Sequence, residues 1–566
     1  MSLRPQPSSS GEDQHPSSVT LGRPYLIINL DDAISDTFMA LPPWAAFLTV
    51  VLITAFFVKA AIVSRRRRRR TYNLPPGPKP WPIIGNLNLI GDLPHRSIHE
   101  LSKRHGPLMH LRLGSLPVVV AASAEMARSF LKTHDAVFSD RPRFAAGKHT
   151  AYNYSDILLA PYGAYWRQAR RICAAELFSA KRLELFEHVR GEEVRAMLRG
   201  LREASESGGG GVVRLRDYMK MATLGVISRV VLGRKYVEVE EEEVGEGGSS
   251  PAPVMAPAEF MAMVDEYFEL NGVFNIGDFI PWLEWLDLQG YVRRMKRTTK
   301  MLDRFLERVL DEHNERRRLE GDRFVERDMV DVLLQLADDP NLEVKLTRDN
   351  VKAITQDLIV AAVDTSSNTM EWAVSELLKN PEFLTRATKE LDNLIGGNRL
   401  VTEKDLPHLS YIEAIIKETM RMHPPAPMLA PHLSREDASI DGYDIPAGTI
   451  LLVNVWSIGR DPTSWDAPEK FQPERFVGSK IDMKGQCFEL VPFGSGRRMC
   501  PGYSLGMKVM TLGLANLLHS FSWRLPDGVS KEKLCMDEIY QLAMPRKIPL
   551  EALVQPRLSS HLYTGA

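Results

Sequence analysis

Ten residues near the C-terminal end of the chain, Phe493-Gly-Ser-Gly-Arg-Arg-Met-Cys-Pro-Gly502, set one cysteine among three glycines and two arginines. A thiolate in such a loop suits axial ligation of haem iron, because that sulfur must be open to the metal yet shielded from water. Gly494, Gly496 and Gly502 let the backbone pass close beneath a flat macrocycle. Backbone N–H groups aimed at the sulfur, with nearby arginine, would keep it ionised and tune its electron donation. Arg498 is placed to pair with a haem propionate and Phe493 to cover the sulfur. A helix expected over Ser504–Leu518 points its positive end at Cys500.

A second constellation lies earlier, Ala361-Ala-Val-Asp-Thr-Ser366. Cleaving an O–O bond requires protons at the distal oxygen. The Thr365 hydroxyl can hydrogen-bond bound oxygen and order a water, and Asp364 beside it can relay protons. A thiolate on the opposite side pushes electron density toward that cleavage.

These residues need a scaffold. Apolar residues recur at three and four over Lys181–Leu201, Met301–Glu320 and Pro381–Ile395, which predicts helices, the last with its proline in the first turn. Short β-branched runs at Pro117–Val120 and Thr449–Val453 predict strands. The pattern is mainly α with small β-sheets. Gly208–Gly211 and Glu238–Pro257 read as solvated loops. Gly272–Tyr291 is rich in Trp and Phe in a loop-like context, which fits either core packing or a membrane interface.

The N-terminal part is organised differently. Trp44–Val63 is a near-continuous apolar run with one charge, Lys59. At ~1.5 Å per residue a helix of this length spans roughly a bilayer core of 30 Å. Arg65–Arg70 is an unbroken arginine run, so the positive-inside rule places the arginines and the rest of the chain after them in the cytoplasm. Residues 1–43 are then a polar lumenal tail, 44–63 a transmembrane anchor, and 64–95 a basic stop with a Pro-rich hinge. Met39 offers a second start, which would make the first 38 residues dispensable. A net charge of −1 gives no field for nucleic acid. Four cysteines without a CxxC pair are too few for a disulfide framework.

The cysteine loop resembles the haem-binding segment of the cytochrome P450 superfamily, and further matches extend from about 74 to 550. Glu418-Thr-Met-Arg421 is similar to the family's Glu-x-x-Arg helix. Phe471-Gln-Pro-Glu-Arg-Phe476 is similar to the segment whose arginine, here Arg475, completes a structural Glu418–Arg421–Arg475 network. Trp166-x-x-x-Arg170 resembles the helix that meets the haem propionates, and His432 stands where the family commonly places another propionate donor, usually Arg. Ala362 departs from the family's usual Gly. Stretches such as KPWPIIGNLNLIG and DIPAGTILLVNVWSIGRDP look like the plant group near flavonoid 3'-hydroxylases and homoterpene-forming terpenoid oxidases.

The resemblance implies a P450 fold over 96–555, with 556–566 a C-terminal tail. It implies haem b, O2, electrons from NADPH via cytochrome P450 reductase, and a single-pass location in the endoplasmic reticulum membrane. Reductase would dock near Arg497 and Lys508. The implied activity is oxygenation of a small apolar metabolite, such as cleavage of a tertiary terpene alcohol (nerolidol or geranyllinalool) to a homoterpene. Hydroxylation of a flavonoid or a steroid is an alternative, and a reductase-independent haem isomerase is an alternative of another class. Substrate contacts are expected from Phe144–Leu159, Phe260–Ile280, Leu358–Ala362, Pro427–Leu429 and Gln541–Met544.

Overall fold

The computed structural model describes residues 44–54 without 46 and 53, then 72–206, 211–237 and 255–564. The chain divides into two units, 1–71 and 72–566. In the first, the described residues from Trp44 to Thr54 are helical. The Thr49 and Thr54 hydroxyls donate to the carbonyls four residues back at 2.7 Å, so these polar groups are satisfied within the helix. The remainder of the expected anchor, the arginine run, the polar tail and most of the two expected solvated loops lie outside the described residues. Among the described residues no helix is long and apolar enough to cross a membrane.

In the second unit we label the elements that bear on the site: α1 (Pro94–His105), β1 (Leu108–Leu113), β2 (Leu116–Ala121), α2 (Ala164–Ile172), α3 (Glu187–Glu206), β3 (Val212–Arg214), α4 (Leu215–Leu232), α5 (Pro257–Gly272), α6 (Tyr291–Glu320), α7 (Arg348–Lys379), α8 (Pro381–Ile395), α9 (Ser410–Met422), β4 (His432–Leu433), β5 (Ile450–Val453), α10 (Tyr503–Ser520), β6 (Phe521–Arg524), β7 (Glu551–Pro556) and α11 (His561–Thr564). One sheet runs β1-β2-β5-β4, with β2 and β5 parallel and the other pairs antiparallel. A second runs β3-β7-β6. Along β2 and β5 alternate side chains enter different cores, Val119 and Leu451 one, Val118 and Ile450 another, as the period-2 geometry of a strand requires.

The long helix α7 is the axis of the unit. It starts at a reciprocal cap in which the Thr347 hydroxyl accepts the Asn350 N–H and the Asn350 side chain accepts the Thr347 N–H. It is buried on nearly every face, apolar and polar residues alike, and it packs on α4, α9 and α10.

Three boundaries differ from expectation. The helix expected over Lys181–Leu201 is two, Ala180–Leu185 and α3, because the chain turns at Phe186 to bury that ring in the core. The globule begins well before 96: Asn86 is buried, its side-chain oxygen accepts the Arg112 N–H at 2.8 Å, and Gly85 bridges to Leu113. It also continues past 555. Tyr563 is fully buried with its hydroxyl on the Ser520 carbonyl, and Arg557 pairs with Asp392 at 2.8 Å, so the described residues of 556–564 belong to the domain. The segment 272–291 divides between its two readings: Phe279 and Ile280 are core, while Trp282, Trp285 and Leu288 are exposed.

Candidate active site

The cysteine loop folds as a tight hairpin. The Cys500 N–H donates to the Phe493 carbonyl at 2.9 Å, and Gly494, with φ +71°, makes the reversal. α10 then begins at Tyr503, and the N–H groups of Gly502 and Tyr503 point at the Cys500 sulfur. Burial pushes this thiol up, while the two N–H groups and the Arg170 guanidinium pull it back toward the thiolate. Phe493 meets Tyr503 edge-on, ring centroids 5.0 Å apart, and shields the loop. Gly496 serves another purpose than the one expected of it. A Cβ there would run into the Leu131 carbonyl, so this glycine lets the loop dock on the protein itself.

Across a cavity of about 430 Å³ from Cys500 stands one face of α7. Ala361, Ala362 and Thr365 line it. The Thr365 hydroxyl donates to the Ala361 carbonyl at 2.7 Å. With Ala in place of the usual Gly at 362, α7 runs through this point without a break. Asp364, by contrast, points off the cavity. It is 3% exposed and lies 2.9 Å from the Lys220 Nζ, and Lys220 in turn pairs with Asp265. Burial raises the Asp364 carboxyl, and the Lys220 charge opposes that. Phe144, Phe268, Val273, Met428 and Leu542 supply apolar wall from four of the five stretches expected to touch substrate, and Leu358 joins them from the fifth.

At one end of the cavity the structure gathers Trp166, Arg170, His432 and Arg498, as the sequence suggested, and adds Arg141, which sequence reasoning missed. The chain matches the family model described as Cytochrome P450 over residues 75–550. The chain belongs to the cytochrome P450 family. Trimethyltridecatetraene synthase of Zea mays is 49% identical to this P450, with 92% of this chain and 95% of that protein covered. Dimethylnonatriene synthase of Zea mays is also 49% identical, covering 88% and 93%. Flavonoid 3'-monooxygenase of Petunia hybrida is 45% identical, covering 87% and 94%. A solved zebrafish cytochrome P450 with abiraterone superposes with a TM-score of 0.66 at 25% identity, over 82% of this chain and 100% of that one. The protein is accordingly a P450 monooxygenase whose cofactor is haem b.

The cationic end of the cavity tests that cofactor on the P450's own residues. Arg141 gives its donors to the carbonyls of Leu158 (2.9 Å), Ala430 and Pro431 (both 2.7 Å). Arg498 donates to Ser139 (2.8 Å) and Ala160 (2.7 Å) and stacks 4.1 Å over Trp166. Arg170 donates to the Met499 carbonyl at 2.8 Å. Among the described residues none of the three has a carboxylate partner within ion-pair distance. Burial first, then the neighbouring Arg141 charge, bring Arg498 down to about 8, and burial brings Arg141 to about 10. Three cations short of counter-charge fit a ligand carrying two carboxylates, as haem does.

Two of the expected donors have an N–H engaged by backbone. The Trp166 indole N–H is engaged by the Ile157 carbonyl at 3.0 Å. His432 donates Nδ1–H to the Phe138 carbonyl at 2.8 Å, and burial, then Arg141, hold the ring well below its ordinary pKa. Neutral, the ring offers only an acceptor at its other nitrogen; a carboxylate facing it would raise the pKa and favour a second N–H. The Glu418 network forms as expected: Arg421 pairs with Glu418 through both oxygens at 2.7 and 2.8 Å, and Arg475 joins at 3.2 Å. Of the expected reductase contacts, Arg497 is paired with Asp135 and Lys508 with Glu403.

Proposed function

We propose that this P450 oxidises an apolar terpenoid, and that its substrate is a tertiary terpene alcohol cleaved to a homoterpene. The observation that carries the reading is 49% identity, over nearly the whole chain, to two homoterpene synthases. The apolar cavity wall is consistent with it. Microsomes holding this protein and a plant P450 reductase, offered nerolidol, geranyllinalool, flavonoids and steroids, test it by mass spectrometry. Homoterpene from either alcohol is expected; a hydroxylated flavonoid with no homoterpene would replace the reading by flavonoid 3'-hydroxylation, which the 45% identity to the Petunia enzyme supports.

In this reading Cys500 holds the iron of haem b, and Arg141, Arg170 and Arg498 hold its propionates. Arg141 takes the place first expected for His432, and Trp166 orients Arg498 by stacking. Haem, when bound, supplies the oxygen-activating chemistry. The protein supplies its proton economy and its walls. Thr365 can turn its hydroxyl from the Ala361 carbonyl toward a water in the cavity. Behind it, Asp364, Lys220 and Asp265 form a charged file whose side chains are 4%, 10% and 56% exposed, a route by which a proton reaches the helix from solvent. The Glu418–Arg421–Arg475 clamp holds the fold.

Electrons come from NADPH–cytochrome P450 reductase. Because Arg497 and Lys508 are already paired, reductase must compete with Asp135 and Glu403 for them. Residence on the endoplasmic reticulum membrane, catalytic side cytoplasmic, rests on the apolar run 44–63 and the arginines after it. It is further supported by exposed Trp81, Ile83, Trp282 and Trp285, which flank one turn: the Gly114 N–H donates to Ile84 and the Ser115 N–H to Phe279.

A further inference from the structure

Asp357 stands one turn before Ala361 and two before Thr365, so the three share one stripe of α7, and all three line the cavity. One carboxyl oxygen of Asp357, Oδ2, accepts the N–H groups of Ile157 at 2.7 Å and Leu158 at 3.3 Å. The other oxygen makes no hydrogen bond to any described residue. The side chain is enclosed by protein yet keeps accessible surface, and that surface is the cavity.

Nearby polar groups on the cavity wall are already engaged. The Tyr267 hydroxyl accepts the Gln356 amide at 3.1 Å. Asn271 accepts the Thr150 hydroxyl and donates to the Tyr267 carbonyl, both at 2.9 Å. Asp278 accepts the Ala145 N–H at 2.7 Å. Asp357 keeps Oδ1 without a partner among the described residues, and the cavity beside it is lined mainly by apolar side chains.

We propose that Asp357 anchors the substrate, its free carboxyl oxygen meeting the alcohol or carbonyl oxygen of an otherwise apolar molecule. Burial, then the neighbouring Asp156, hold the Asp357 carboxyl well above the ordinary carboxylate range. A neutral carboxyl whose Oδ2 accepts two N–H groups carries its proton on the other oxygen, so it presents an O–H donor to the cavity. An unpaired donor in an apolar site is unfavourable, and a ligand that brings an oxygen relieves it where a hydrocarbon cannot. One turn of helix, ~6 Å, separates Asp357 from Ala361. The anchor thus holds the oxygenated end of the molecule within a few bonds of the carbon presented to the Thr365 end. This rests on the reading of the cavity as the substrate site and narrows its ligand to oxygen-bearing molecules.

The test is an absorbance titration of the haem-loaded enzyme with two probe pairs: nerolidol against farnesene, and flavone against its oxygen-free analogue 2-phenylnaphthalene. In the wild type the oxygenated member of at least one pair binds about tenfold more tightly, the worth of one buried hydrogen bond. Asp357→Leu brings the ratio close to one by weakening the oxygenated probe alone. Asp357→Asn keeps most of it, since the amide offers an N–H to the cavity and a carbonyl to the loop. Should the leucine variant fold poorly, infrared difference spectra of the wild type decide instead: a neutral carboxyl band shifts when the probe binds, and Asp357→Asn lacks it. Discrimination in the flavone pair only keeps the anchor and removes the terpene-alcohol reading. Equal affinity within both wild-type pairs, an unchanged ratio in Asp357→Leu, or no shifting band overturns the anchor.

Discussion

Two largely buried arginine clusters stand in the domain, one lining the cavity and one apart from it, and they are built on opposite principles. Around Glu418 each guanidinium has a carboxylate partner: Arg421 and Arg475 share Glu418, and Arg421 also donates to the carbonyls of Gly459, Pro468 and Lys470. Around Trp166, by contrast, Arg141, Arg170 and Arg498 reach only backbone carbonyls, with no carboxylate in ion-pair reach among the described residues. A buried ion pair with every partner present is a structural element. Buried cations without counter-charge are a binding site that awaits an anion. The difference separates residues that hold the fold from residues that hold the cofactor, although the two sets look alike in sequence.

That distinction can be broken by substitution. Glu418→Ala strands two buried guanidinium groups and should cost about 3–5 kcal/mol, with or without haem, as read by denaturant unfolding. Equal stability to the wild type would remove the clamp. Asp364→Asn leaves the fold intact and removes the acid from the proton file, so turnover should fall on the order of 100-fold while substrate-induced absorbance changes persist. Unchanged turnover would put the route elsewhere. Arg498→Met should speed haem loss roughly tenfold or more in transfer to a competing apoprotein, the worth of a charge-assisted hydrogen bond. Apoprotein stability should hold or rise, because an unpaired buried cation is gone, and a marked fall would class Arg498 with the Glu418 cluster. The smallest effect belongs to His432→Leu, with haem loss changing less than about twofold, far short of a lost charge-assisted hydrogen bond. A loss as large as that of Arg498→Met would restore His432 as a donor.

The sequence was most legible where chemistry fixes spacing. The loop 493–502, the Glu418–Arg421 pair on one helix face and the apolar stretches around the cavity could all be read from residue order, because each depends on contacts a few residues apart or on local pattern. Long-range electrostatics was not. Arg141 lies in a polar stretch with no periodic signal, and only the fold carries it to Arg498 and His432. The pairing of Asp364 with Lys220 joins α7 to α4 across more than a hundred residues, although a lone lysine within the apolar helix α4 was a signal of a buried partner. Asp357 was readable, in hindsight of helix geometry, as the residue two turns before Thr365 on the same stripe. The break at Phe186 was hidden because periodicity continues through it and only burial of the ring bends the chain.

Everything assigned to the cavity depends on Cys500 as the ligand beneath it. The direct measurement is the carbon monoxide difference spectrum of the reduced protein, wild type beside Cys500→Ser. The wild type should give the thiolate-type band, and the serine variant should lose it whether or not haem remains bound. An undiminished thiolate band in Cys500→Ser would show that another group holds the iron and would contradict the site as drawn.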